Sequence, residues 1–124
     1  MLITHDIGVI AETTNRVAVM YAGRIVEAGP TADVLARPLH PYTLGLLRSA
    51  VDLGVDVTAP QPIPGSLPDP LRRPAGCAFH PRCYLASQEC QTADVALVPV
   101  DDGHTSACLH VAALLGDRQG VACD

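Results

Sequence analysis

The chain has 124 residues, 48% of them hydrophobic and 17% charged, and carries a formal net charge of −5. That length serves one ordinary domain, the apolar content is too high for a disordered chain, and the acidic balance argues against a nucleic-acid surface. No apolar run approaches the roughly 20 residues that span a bilayer, and the opening MLITHDIGVIAE lacks the basic stretch of a secretory leader.

Leu2-Ile3-Thr4 reads as a short strand, followed by His5-Asp6. Ile7, Ile10, Ala11 and Thr14 fall on one helical face, which predicts a helix from Ile7 to about Asn15 with Asp6 as its N-cap. Val17 to Ala28 reads as a β-hairpin, Val17–Tyr21 and Ile25–Glu27 flanking Ala22-Gly23-Arg24, with Gly23 supplying a positive φ. Gly29-Pro30 ends the second strand. Thr31 is then expected to cap a short helix, Ala32 to Ala36, with Asp33 and Arg37 placed to suit its dipole and Pro38 stopping it. His40-Pro41-Tyr42-Thr43 opens a helix to about Val51, with Pro41 at its first position and Tyr42, Leu46 and Leu47 on its apolar side. Gly45 weakens that helix by about 1 kcal/mol relative to Ala.

Gly54 to Gly76 holds six prolines, Pro60, Pro62, Pro64, Pro68, Pro70 and Pro74, and reads as an extended connector. Cys77 to Leu109 reads as a second, small cysteine-rich unit, with a helical turn or two over Leu85–Cys90 and a terminal helix over Leu109–Leu115. Gly116 to Asp124 reads as a frayed tail.

A histidine between a strand and a helix, as His5 stands, is placed to donate to a phosphate oxygen or to position a water. The same five residues also read as a plain capped helix start. Ile3-Thr4-His5-Asp6, a helix, and then Arg16-Val17-Ala18-Val19-Met20-Tyr21-Ala22-Gly23-Arg24-Ile25-Val26-Glu27-Ala28-Gly29-Pro30 together resemble the closing part of ATP-binding cassette (ABC) transporter ATPase subunits. Arg37-Pro38-Leu39-His40-Pro41-Tyr42-Thr43, Pro62-Ile63-Pro64-Gly65 and Gly76-Cys77-Ala78-Phe79-His80-Pro81-Arg82-Cys83 resemble the C-terminal extension of the oligopeptide/dipeptide importer branch. The resemblance covers about residues 2 to 110.

It implies an α/β fold: the C-terminal remnant of a P-loop nucleotide-binding domain over 1–53, a Pro-rich connector over 54–76, a cysteine-rich, loop-rich extension over 77–115, and a tail over 116–124. It also implies that His5 is the switch histidine of the H-loop, contacting the ATP γ-phosphate. The family's P-loop, glutamine loop, signature motif and Asp-Glu pair have no counterpart here. All eight basic residues are Arg, so there is no P-loop lysine. Phosphoryl transfer needs a phosphate cradle and a positioned magnesium ion. The chain is therefore expected to hydrolyse no ATP alone, although the parent protein would use ATP and magnesium.

Cys77, Cys83, Cys90 and Cys108 are spaced C-x5-C-x6-C-x17-C. A reducing compartment is expected, which disfavours disulfides and leaves four thiolates to organise a unit with little apolar core. Structural zinc sites usually use closer cysteine pairs, whereas iron–sulfur clusters take wider spacings. The resemblance implies the same set as ligands of a 4Fe-4S cluster, with zinc as the alternative. Buried or free thiols without a metal are the third reading. His80, His104 and His110 are near enough in sequence to replace a thiolate, and Cys123 is read as a bystander. His40-Pro41-Tyr42 is read as helix initiation rather than catalysis, and Arg72-Arg73 as a solvated pair.

The function implied is that of part of an ATP-binding subunit of an oligopeptide or dipeptide importer. It would lie peripherally on the cytoplasmic face of the plasma membrane. Its partners would be the missing N-terminal nucleotide-binding half or a second ATPase subunit, the membrane permease subunits and, indirectly, a peptide-binding protein, but no nucleic acid. A stand-alone cysteine-rich metal-binding or interaction module is the alternative. An independent enzyme has no complete catalytic set to support it.

Overall fold

The structure is a computed structural model that describes residues 1–49 and 63–115. The elements run α1 (Ile7–Thr13), β1 (Arg16–Tyr21), β2 (Arg24–Pro30), α2 (Thr31–Ala36), α3 (Pro41–Ser49), a 3-10 turn (His80–Arg82), α4 (Gln88–Thr92), β3 (Val98–Asp101) and β4 (His104–Ser106), with helical residues again at 111–115. The result is a small α/β fold around a four-stranded antiparallel sheet in the order β1-β2-β4-β3.

The first hairpin forms because two adjacent residues accept positive φ. Ala22 sits at 51° and Gly23 at 78°, as a two-residue primed turn requires. Arg24 pairs with Tyr21 and belongs to β2, so the expected three-residue turn is one residue shorter. Asp6 caps α1 as expected, its carboxylate accepting from the Val9 N–H at 3.2 Å. α2 departs from expectation at its cap. The capping position is Pro30, with Thr31 already inside the helix and its hydroxyl 3.0 Å from that of Thr14.

α3 begins at Pro41, and the buried His40 before it accepts the Tyr42 N–H on Nδ1 at 3.0 Å. Its expected end at Val51 lies outside the described residues. Gly45 has a packing role: a Cβ there would stand 2.8 Å from Ile63 Cγ1. The proline stretch thus lies against α3 where it is described; Pro60 and Pro62 lie outside the described residues, as do Cys123 and the tail.

Two further features differ from the sequence reading. Leu2-Ile3-Thr4 forms no strand, and Leu2 and Ile3 are exposed. A strand needs a neighbour for its backbone groups, and the described residues offer none beside it. Conversely, β3 and β4 form a hairpin around Asp102-Gly103, with Gly103 at φ 70°. β4 then pairs with β2 through Glu27↔Ser106 and Ala28↔Thr105. Residues from both ends of the chain therefore share one sheet.

The apolar core centres on Tyr21, Val26 and Phe79, with Tyr42, Ile63, Cys77 and Cys83 packed against it. Tyr21 meets Phe79 edge-on at 5.2 Å between ring centres and Tyr42 at 4.6 Å. Three of the four aromatic side chains are thus gathered in one place.

Candidate functional site

His5 is exposed at the start of α1. The neighbouring Asp6 carboxylate is engaged through Oδ1 in capping α1. The phosphate-binding parts that a switch histidine serves are absent from the sequence.

The four cysteines come from three pieces of local structure. Cys77 and Cys83 bracket the 3-10 turn, Cys90 lies in α4, and Cys108 follows β4. Gly76, at φ 70°, fixes the approach: a Cβ there would run into the Cys90 carbonyl oxygen, and the Cys77 N–H donates to that oxygen at 2.8 Å. Backbone N–H groups surround the cysteines. The His110 N–H donates to the Cys108 sulfur at 3.3 Å, and the His80 and Ala86 N–H groups donate to the Cys77 and Cys83 carbonyl oxygens at 3.0 and 3.3 Å. The Ser87 hydroxyl lies 3.5 Å from the Cys90 sulfur.

All four thiols are free, and they are close enough that charge on one disfavours charge on the others. Burial pushes the Cys77 and Cys83 thiols up and takes Cys108 to about 11; the neighbouring sulfurs add to each shift and the backbone donors oppose it. Among the described residues, no group of three or more His, Cys, Asp or Glu side chains is spaced to hold a metal ion.

The three histidines separate. His80 Nδ1 lies 2.8 Å from the Cys77 carbonyl oxygen and His110 Nε2 lies 3.0 Å from the Ser87 hydroxyl, so both stay beside the cysteines. His104 does not replace a thiolate: its Nε2 is 2.6 Å from Glu27 Oε1, with the two side chains 1% and 0% exposed. The same Glu27 oxygen accepts the Leu39 N–H at 2.7 Å, and Ser106 Oγ donates to the Leu39 carbonyl at 2.6 Å. Glu27 Oε2 and His104 Nδ1 are buried without a hydrogen-bond partner among the described residues. Enclosure of this depth makes the Ser106, His104 and Glu27 set a structural latch between β2, β4 and the α2–α3 link. The only sequence hint was a charged residue inside an apolar strand.

His40 acts as a helix-start acceptor. Burial lowers its pKa from the usual 6.5 to about 4, which keeps Nδ1 free to accept. Arg73 lies across Gly23, where a Cβ would stand 2.6 Å from its Nη2, and lines with Arg24 and Asp94 a recess of about 180 Å³. Arg82, read only as part of a motif, donates to the Pro64 and Ile63 carbonyls and to the Tyr21 hydroxyl.

Residues 26–90 match the family described as oligopeptide/dipeptide transporter, C-terminal region. A peptide import ATP-binding protein of Brucella ovis is 47% identical over 116 residues, covering 88% of this chain and 34% of that protein. Another from Brucella abortus is 50% identical over 90 residues, covering 73% of this chain and 27% of that protein. The chain thus spans about a third of the length of the curated relatives it matches. A match over more than half of the chain, together with relatives of this identity, places the chain in the oligopeptide/dipeptide transporter C-terminal region family.

Proposed function

We propose that the chain is the closing part of the ATP-binding subunit of an oligopeptide or dipeptide ABC importer. The observation that carries this reading is coverage: nearly the whole chain aligns with one third of a peptide import ATP-binding protein. In the intact subunit, residues 1–53 would complete a P-loop nucleotide-binding domain, 54–76 would connect, and 77–115 would form the extension. His5 would act as the switch histidine toward the ATP γ-phosphate. ATP and magnesium would be held by the part of the subunit that carries a P-loop, so the chain alone lacks ATPase activity.

The partners would be that N-terminal nucleotide-binding half or a second ATPase subunit, and the permease subunits at the cytoplasmic face of the plasma membrane. Exposed Met1, Leu2 and Ile3, a helix α1 with no buried residue, and β1 at the sheet edge offer apolar surface for the first of these. No described helix is long and apolar enough to cross a membrane.

Cys77, Cys83, Cys90 and Cys108 would hold the extension's metal centre, an iron–sulfur cluster or zinc. Supporting this are four free thiols whose charges disfavour one another, with a backbone donor at the Cys108 sulfur. Against it stands the spacing, which suits no single ion as the side chains lie. When bound, the group would supply a cross-link among the Cys77–Cys83 loop, α4 and the segment after β4. The residues' own part is to present sulfurs that lose their protons when metal binds.

The test is a chimera joining this chain to the preceding two thirds of the Brucella ovis protein. Magnesium-dependent ATP hydrolysis is expected from the chimera and not from the chain alone, and His5→Ala should remove most of it. An inactive chimera that folds and binds ATP would overturn the reading. One observation favours a stand-alone metal-binding or interaction module: β4 covers the inner edge of β2, so the chain closes part of its own sheet. A folded monomer that gains nothing from the nucleotide-binding half would support that module.

A further inference from the structure

The Cys77–Cys83 loop has two working faces. Its ends are sulfurs, while its middle grips the first hairpin. Phe79 meets Tyr21 edge-on within the aromatic cluster. Arg82, one residue before Cys83, donates from Nε to the Pro64 carbonyl at 2.8 Å, from Nη2 to the Ile63 carbonyl at 3.3 Å and from Nη1 to the Tyr21 hydroxyl at 3.3 Å. Its guanidinium carbon stands 6.0 Å from the Tyr21 ring centre. Gly65, at φ 81°, leaves room for the Arg82 stem, which a Cβ would approach to 3.0 Å. Every one of these acceptors is neutral, so the fork is used for shape rather than for charge pairing. The backbone is held as well: Arg82 N–H donates to the Phe79 carbonyl and Cys83 N–H to the His80 carbonyl.

We propose that Arg82 is a positioning residue for the cysteine centre, fixing Cys83 and Cys77 by anchoring their loop to Tyr21 and to Ile63–Gly65. The metal arm of its test rests on the cysteine reading given above; the thiol arm does not. The anchoring is reciprocal, as any coupling between two sites must be. A bound metal would steady Tyr21 and Ile63–Gly65, and a displaced hairpin would loosen Cys83.

The experiment compares the chain with Arg82→Gln and Arg82→Lys, reduced and metal-free. Per-cysteine alkylation by iodoacetamide is followed by peptide mass spectrometry, and cobalt(II) is titrated by thiolate-to-cobalt absorbance. In Arg82→Gln, alkylation of Cys83 and Cys77 should rise about tenfold through local opening while Cys108 changes less than about twofold. Cobalt affinity should fall about tenfold, as for other partners that orient ligands. Arg82→Lys should behave like Gln, because an ammonium cannot reach three separated acceptors; full rescue by Lys would overturn the proposal.

Unchanged Cys83 alkylation in Arg82→Gln would overturn it as well, even if metal binds. If all four thiols accelerate together, the variant has unfolded, and Tyr21→Phe decides. Removing one acceptor should then raise Cys83 alkylation about twofold to threefold with Cys108 unchanged, and no rise would end the proposal. If the unaltered chain binds no cobalt, the metal-centre reading falls while the alkylation result still decides the role of Arg82.

Discussion

The seam between β2 and β4 and the face formed by residues 1–3 with α1 are built in opposite ways. At the seam, Glu27, His104 and Ser106 are polar, nearly solvent-free and engaged with one another or with the Leu39 backbone. At the N-terminal face, Leu2, Ile3 and Val9 are apolar and exposed, and α1 buries no residue. A seven-residue helix with no buried stripe owes little to its own propensity. One region is completed within the chain and the other is left open.

The largest expected break in this contrast is at the seam. Glu27→Ala leaves the His104 imidazole and the Leu39 N–H without their shared acceptor, and should cost about 3–5 kcal/mol by urea denaturation. Glu27→Gln, which keeps an acceptor oxygen, should cost less. If both variants cost under about 0.5 kcal/mol, the range of ordinary surface changes, the seam is not the fixed region.

pH should sharpen the contrast next. The pKa of His40 falls to about 4 on folding, so the unfolded chain binds the proton more readily. Its contribution is therefore full above the unfolded value near 6.5 and is lost as pH falls toward 4, by up to about 3 kcal/mol. His40→Gln should flatten that part of the stability–pH curve, and an unchanged slope would show that His40 is solvated.

Gly45 is a subtler case. Gly45→Ala should gain about 1 kcal/mol of helix propensity and lose most of it against Ile63. In an Ile63→Ala background the gain should appear in full. The smallest effect belongs to the open face: Val9→Ser should shift stability by no more than about 0.5 kcal/mol in the chain alone. A much larger loss would mean that α1 is packed in solution.

Local chemistry was legible in the sequence. The Asp6 cap, the Gly23 turn, Pro41 at a helix start and the breaks after α2 and α3's onset all follow from single residues and their immediate neighbours. The β3–β4 hairpin was missed although Asp102-Gly103 is a strong turn signal, because Pro99 interrupts an already short run. Leu2-Ile3-Thr4 has strand composition, but composition cannot supply a neighbouring strand. The candidate cysteines were visible as a set in the sequence, while the side chains as they lie form no group of three or more spaced for a metal ion among the described residues. Glu27 with His104, and Arg82 with Tyr21, were not legible, since partners 77 and 61 residues apart leave no periodic trace.

The Glu27–His104 latch also bears on how such subunits are taken apart and recombined. A cut anywhere between α3 and β3 separates a carboxylate from its imidazole, and each fragment then encloses an uncompensated group or opens to water. The segment carrying β3 and β4 is therefore a poor detachable cassette. Exchanging it between related subunits requires Glu27, the Leu39 backbone and the strand bearing His104 and Ser106 to travel as one heritable unit.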